Sequence, residues 1–78
     1  MKKYITTVRI QARDTPWPFK IDPDREFEFD PFTSIIVTEA PKLYYDGNNL
    51  VVKFRIEGGN RDYFIRLKQF KQSVIESD

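Results

Sequence analysis

The sequence predicts a small, mostly β fold, and three observations carry that prediction. Residues 50–56 and 61–67 pair in one register that gathers nearly every aliphatic side chain on one side of a hairpin. A second turn signal, Asp46-Gly47, stands just before them. Two stretches nearer the N-terminus alternate apolar and polar residues with the period of two that a half-buried strand requires.

In chain order, Tyr4, Thr6, Val8, Ile10 and Ala12 share one face of an extended segment, with Arg9, Gln11 and Arg13 on the other. This reads as one strand over residues 3–12. Residues 13–24 carry Pro16, Pro18 and Pro23 around Trp17 and Phe19 and read as a long loop. The alternation resumes over residues 25–29, a short strand that Pro31 ends. A further strand begins near Ser34, with Ile35 and Val37 on the core side, and Pro41 interrupts it.

The two-residue turn at Asp46-Gly47 sets Leu43 opposite Leu50 on the core face; a four-residue loop over 46–49 fits nearly as well. Placing Gly58 and Gly59 at the centre of the next turn, where φ must be positive, makes opposed residue numbers add to 117. Leu50 then faces Leu67, Val52 faces Ile65, Phe54 faces Tyr63 and Ile56 faces Arg61 on the core side. Val51 with Arg66, Lys53 with Phe64 and Arg55 with Asp62 form the outer face. Residues 34–67 thus make a three-stranded meander.

One rival exists at the C-terminus. Tyr63, Leu67, Phe70 and Val74 stand at helical spacing, and Asn60 suits a cap, so a helix over 61–76 competes with the second hairpin strand. That helix would turn Ile65 to solvent. The favoured reading is a strand through Leu67, one helical turn over 68–72 and a last short strand over 73–76. Five or six strands with a short helical turn near the C-terminus point to a closed or nearly closed barrel, SH3-like or OB-like, in a single domain over residues 1–78.

Composition narrows the chemistry. The chain has 78 residues and no cysteine, which excludes disulfides and thiolate metal sites. Lys2 and Lys3 are followed by no apolar run of signal-peptide length, and the longest aliphatic runs, Ile35-Ile36-Val37 and Leu50-Val51-Val52, are far too short to span a bilayer. A cytoplasmic protein is expected, with no membrane association. Because Met1 opens directly into a strand, the chain reads as a complete small gene product. Thirteen basic and twelve acidic side chains leave a net charge of +1, too little for a global pull on nucleic acid. Histidine is absent, Ser34, Ser73 and Ser77 lie in no nucleophile motif, and the three glycines form no phosphate loop. A non-enzyme without cofactor or metal is expected. Asp22, Asp24 and Glu26 begin like a calcium loop but lack its later glycine and glutamate.

Three surfaces compete for a role. Asp22, Asp24, Glu26, Glu28 and Asp30 all fall on one face of an extended strand, about 6.8 Å apart. They read as a negative ribbon for a basic partner, or as a charged strand that resists edge pairing or lies against the basic N-terminal strand. Trp17 and Phe19, in a loop stiffened by Pro16 and Pro18, read as a protein contact or as a cap on one end of the barrel. Lys53, Arg55, Phe64, Arg66 and Lys68 interleave cations with an aromatic, as sheets that bind single-stranded nucleic acid do, or form an ordinary solvent face. The leading reading is a non-catalytic interaction module that binds a protein partner, an accessory or inhibitory factor of phage or mobile-element type. The alternative is a single-strand nucleic-acid binder, and a third reading is a homo-oligomer subunit.

Overall fold

A computed structural model describes residues 2–16, 26–43 and 49–77. Eight strands and one helix follow in chain order: β1 (Lys2–Thr6), β2 (Ile10–Arg13), β3 (Glu26–Phe29), β4 (Ser34–Val37), β5 (Lys42–Leu43), β6 (Leu50–Ile56), β7 (Tyr63–Arg66), α1 (Leu67–Ser73) and β8 (Val74–Ser77). The mostly β expectation holds, and the rival helix over 61–76 is replaced by the strand, short helix and strand of the favoured reading. All strands join one antiparallel sheet in the order β3-β2-β7-β6-β4-β1-β8, with β5 also paired to β6. This order has two ends, β3 and β8, so the sheet is not closed among the described residues.

The strand count exceeds the expected five or six because the N-terminal strand breaks in two and the strand from Ser34 divides on either side of Pro41 into β4 and β5. Thr6 is fully buried and spends its polar groups on the turn after β3. Its amide donates to the Thr33 carbonyl at 3.0 Å, its carbonyl accepts from the Phe32 amide at 2.7 Å, and its hydroxyl donates to the Asp30 carbonyl at 3.0 Å. Residues 7–9 leave the ladder there, and Val8, assigned to the core by alternation, stands 48% exposed. Yet the β1–β4 and β2–β3 pairs both add to 39. Residues 2–13 and 26–37 therefore keep one antiparallel register on both sides of a corner.

The glycine hairpin keeps its predicted register: Val51 pairs with Arg66, Val52 with Ile65, Lys53 with Phe64 and Phe54 with Tyr63, each adding to 117. Its turn differs. Only Gly58 has positive φ, at 85°, and the Gly59 amide donates to the Ile56 carbonyl at 2.8 Å, so Glu57 and Gly58 are the central residues. The expected Ile56–Arg61 pair is not formed, and on its other edge Ile56 pairs with Ile35 of β4. The second hairpin also keeps its register, with Leu43 opposite Leu50; Asp46 and Gly47 lie outside the described residues. Both leucines were assigned to the core and both are exposed, at 60% and 42%. β5 is only two residues long, at the end of β6 beyond the reach of the core. Val51, assigned to solvent, is buried instead in a cleft with Arg13, Thr15, Pro16, Phe64 and Arg66.

Ile10, Ala12, Ile35, Val52, Phe54, Ile65 and Phe70 make the core. Burying a side chain such as Phe54 stabilises by roughly 1.5–3 kcal/mol, so these few residues supply much of what so small a fold has. Edge-to-face rings extend the core: Phe29 meets Tyr63 at 4.9 Å and Phe54 at 6.0 Å, and Tyr4 meets Phe70 at 5.0 Å. α1 follows β7 without a side-chain cap, and Phe70 is its inward anchor. The helix stops at Ser73, whose hydroxyl donates to the Gln69 carbonyl and whose own carbonyl accepts from the Thr7 amide at 2.8 Å. No helix among the described residues is long and apolar enough to cross a membrane.

Candidate functional site

Among the described residues β3 is an end strand of the sheet, and its alternation divides it cleanly. Phe27 and Phe29 turn inward against Tyr63, at 5.4 and 4.9 Å, as the sequence predicts. Glu26 and Glu28 turn outward and are exposed, and Asp30 continues their line past the end of the strand. Asp22 and Asp24, the first two members of the acidic stripe, lie outside the described residues, as do Trp17 and Phe19 of the aromatic loop.

The acids of β3 lie beside the polar face of β2. Arg9 reaches Glu28 at 3.7 Å and Asp30 at 3.3 Å, Gln11 donates to Glu28 at 3.0 Å, and Arg13 stands in register with Glu26. Exposed pairs of this kind contribute about 0–1 kcal/mol each. Arg9 does not balance both Glu28 and Asp30, so these three side chains leave one negative charge in excess.

The basic-aromatic face is brought together by the β6–β7 register, with Lys53 directly across from Phe64. Two of its cations are engaged by acids. Lys53 pairs with Glu39 at 3.2 Å, and Arg55 pairs with Asp62 at 2.7 Å, the cross-strand partner assigned from sequence. Glu39 also takes Lys42 at 2.9 Å. Its carboxyl is held below the ordinary carboxylate range, first by the Lys42 hydrogen bond and then by that of Lys53. Phe64 is half-buried, while Arg66 and Lys68 are exposed.

Sequence reasoning missed Phe32. It occupies the second central position of the Pro31-Phe32 turn with φ of 67°. Where proline stands first and φ is positive second, glycine is the usual choice. A bulky residue there costs roughly 1–2 kcal/mol, and Phe32 recovers little of it within the fold, being 80% exposed. The legible signal was a Pro-Phe step ending a strand with no glycine to serve the turn.

A groove of about 390 Å³ opens elsewhere on the surface, lined by Tyr4, Val37, Val52, Leu67 and Phe70 with Lys2, Glu39 and Ala40 at its margin. Compared with known proteins, the chain matches no family model, no curated protein and no solved structure.

Proposed function

We propose that this chain is a non-catalytic interaction module that binds a protein partner through the outward face of β3, in the manner of an accessory or inhibitory factor. One observation carries the reading. Glu26, Glu28 and Asp30 form an exposed acidic line on an end strand whose opposite face is pinned to the core by Phe27 and Phe29. Such a line is presented rigidly, so little ordering entropy is lost on docking to a basic surface. The finer architecture proposed with it is a small SH3-like or OB-like barrel. Its support is the common register of β1–β4 and β2–β3, which makes residues 2–13 and 26–37 two long bent strands, the first meeting β7 and the second meeting β6.

The test is affinity capture from the native host with wild type and with Glu26→Lys/Glu28→Lys. A protein retained by wild type and lost by the double variant, with the thermal melt unchanged, supports the reading. Equal retention by both removes the acidic line from it.

A second reading rests on the Lys53–Phe64 cross-strand pair with Arg66 and Lys68 beside it: single-stranded nucleic acid stacked on Phe64. Retention on a single-stranded DNA column that falls with salt, and that Arg66→Ala weakens while flattening the salt slope, is its signature. Asp62 offsets Arg55, and Glu39 is shared between Lys53 and Lys42, which lowers the net positive charge this face offers to phosphates.

A further inference from the structure

We propose that Phe32 and the apolar groove are the two halves of a self-interface, with Phe32 of one copy seated between Tyr4, Val37, Leu67 and Phe70 of the next. The inference shares Glu28 and Asp30 with the acidic line on β3 as flanking charge, but neither Glu26 nor a foreign partner enters it.

The turn supplies the knob. Phe32 holds a backbone conformation that disfavours large side chains, and it leaves its ring in solvent. A glycine there would relieve the turn and remove an exposed aromatic, so the fold itself gives no reason for phenylalanine. The backbone around it is nonetheless firmly held: the Phe32 amide donates to Thr6, and the Thr33 hydroxyl donates to Asp30 at 2.6 Å. A rigidly mounted, solvent-facing aromatic has the properties of an interface anchor.

The groove supplies the socket. A cavity of about 150 Å³ accommodates benzene, so the groove of about 390 Å³ has room for a phenyl ring between its aromatic and aliphatic walls. One copy does not fill its own groove. The β1–β4 ladder carries the groove at its Lys2–Val37 end and leads into the Phe32 turn from its Ile5–Ser34 end. Phe32 lies past the Ser34 end, and at 80% exposure it does not enter the groove of its own copy.

Charge selects a second copy as the occupant. Around the socket, Lys2, Lys42 and Lys53 stand against Glu39 and Glu76, one positive charge in excess, and beside the knob Glu28 and Asp30 stand against Arg9, one negative charge in excess. The two margins are therefore complementary. The contact closes reciprocally about a two-fold axis into a dimer, or runs head-to-tail into short chains or a ring.

The test is sedimentation and light scattering of the full chain from about 10 μM to about 1 mM, the range in which a modest interface saturates. The weight-average mass of wild type is expected to rise with concentration beyond that of the monomer. Phe32→Gly, which relieves the turn and should melt no lower than wild type, is expected to stay monomeric. Ala40→Trp, which fills the groove margin, is also expected to stay monomeric. Mixed together, these two variants should form a 1:1 dimer, because one keeps only the socket and the other only the knob. A wild type that is monomeric up to about 1 mM overturns the proposal. So does a Phe32→Gly chain that associates like wild type, or a mixture that stays monomeric while wild type associates.

Discussion

The Thr6 amide donates to the Thr33 carbonyl at 3.0 Å, and the Thr33 amide donates back to the Thr6 hydroxyl at 2.9 Å. These two bonds tie the corner of the first long strand to the corner of the second. Replacing Thr6 by valine keeps the shape but removes the hydroxyl, leaving the Thr33 amide and the Asp30 carbonyl without that partner. The expected loss is about 1–3 kcal/mol, read as a fall in the urea midpoint at unchanged slope. A loss below about 0.5 kcal/mol, the range of ordinary surface changes, would show that the corner does not depend on this hydroxyl.

Gly58 and Gly59 should respond differently to substitution. At Gly58 an added Cβ meets nothing within 4 Å, but φ is 85°, so Gly58→Ala is strained by its backbone alone. About 1 kcal/mol of destabilisation is expected, with Gly58→Asn milder because asparagine tolerates this region. At Gly59 the added Cβ instead lies 3.2 Å from the Ile56 carbonyl oxygen, a steric matter rather than a conformational one. If asparagine and alanine prove equally costly at position 58, conformational strain is not the cause.

Phe54 and Leu43 separate burial from hydrophobicity. Phe54→Ala opens a cavity in the core and should cost about 3–5 kcal/mol, a large share of the stability of a chain this size. Leu43→Ala removes an exposed side chain and should stay within about 0.5 kcal/mol. Thermal melts of both variants check this; comparable losses would mean that Leu43 is covered in solution.

Glu39 gives the pH prediction. Its carboxyl is held below the ordinary range by Lys42 and then Lys53, so the ionised form is favoured in the folded protein. Its contribution to stability is present above the unfolded value and is lost as pH falls through the lowered folded value. An NMR titration of the Glu39 side chain should show the lowered midpoint, and Lys42→Ala should raise it more than Lys53→Ala does. A midpoint unmoved by either substitution would remove the two lysines as its cause.

The local pairing geometry of this chain was readable in one dimension. The 117 register of the glycine hairpin, the Arg55–Asp62 pair, the inward Phe27 and Phe29 and the short helix before a last strand all follow from alternation and turn chemistry, which are properties of neighbours in sequence. Burial was not readable in the same way. Leu43 and Leu50 lie on the apolar parity yet outside the core, and Val51 lies on the polar parity yet under cover, because what packs over a strand comes from elsewhere in the chain. The break at residues 7–9, the shifted glycine turn and the strained Phe32 were likewise decided in three dimensions. Thr6, Ser34 and Thr33 satisfy backbone groups more than twenty residues away, and no local pattern encodes which distant carbonyl or amide will be waiting.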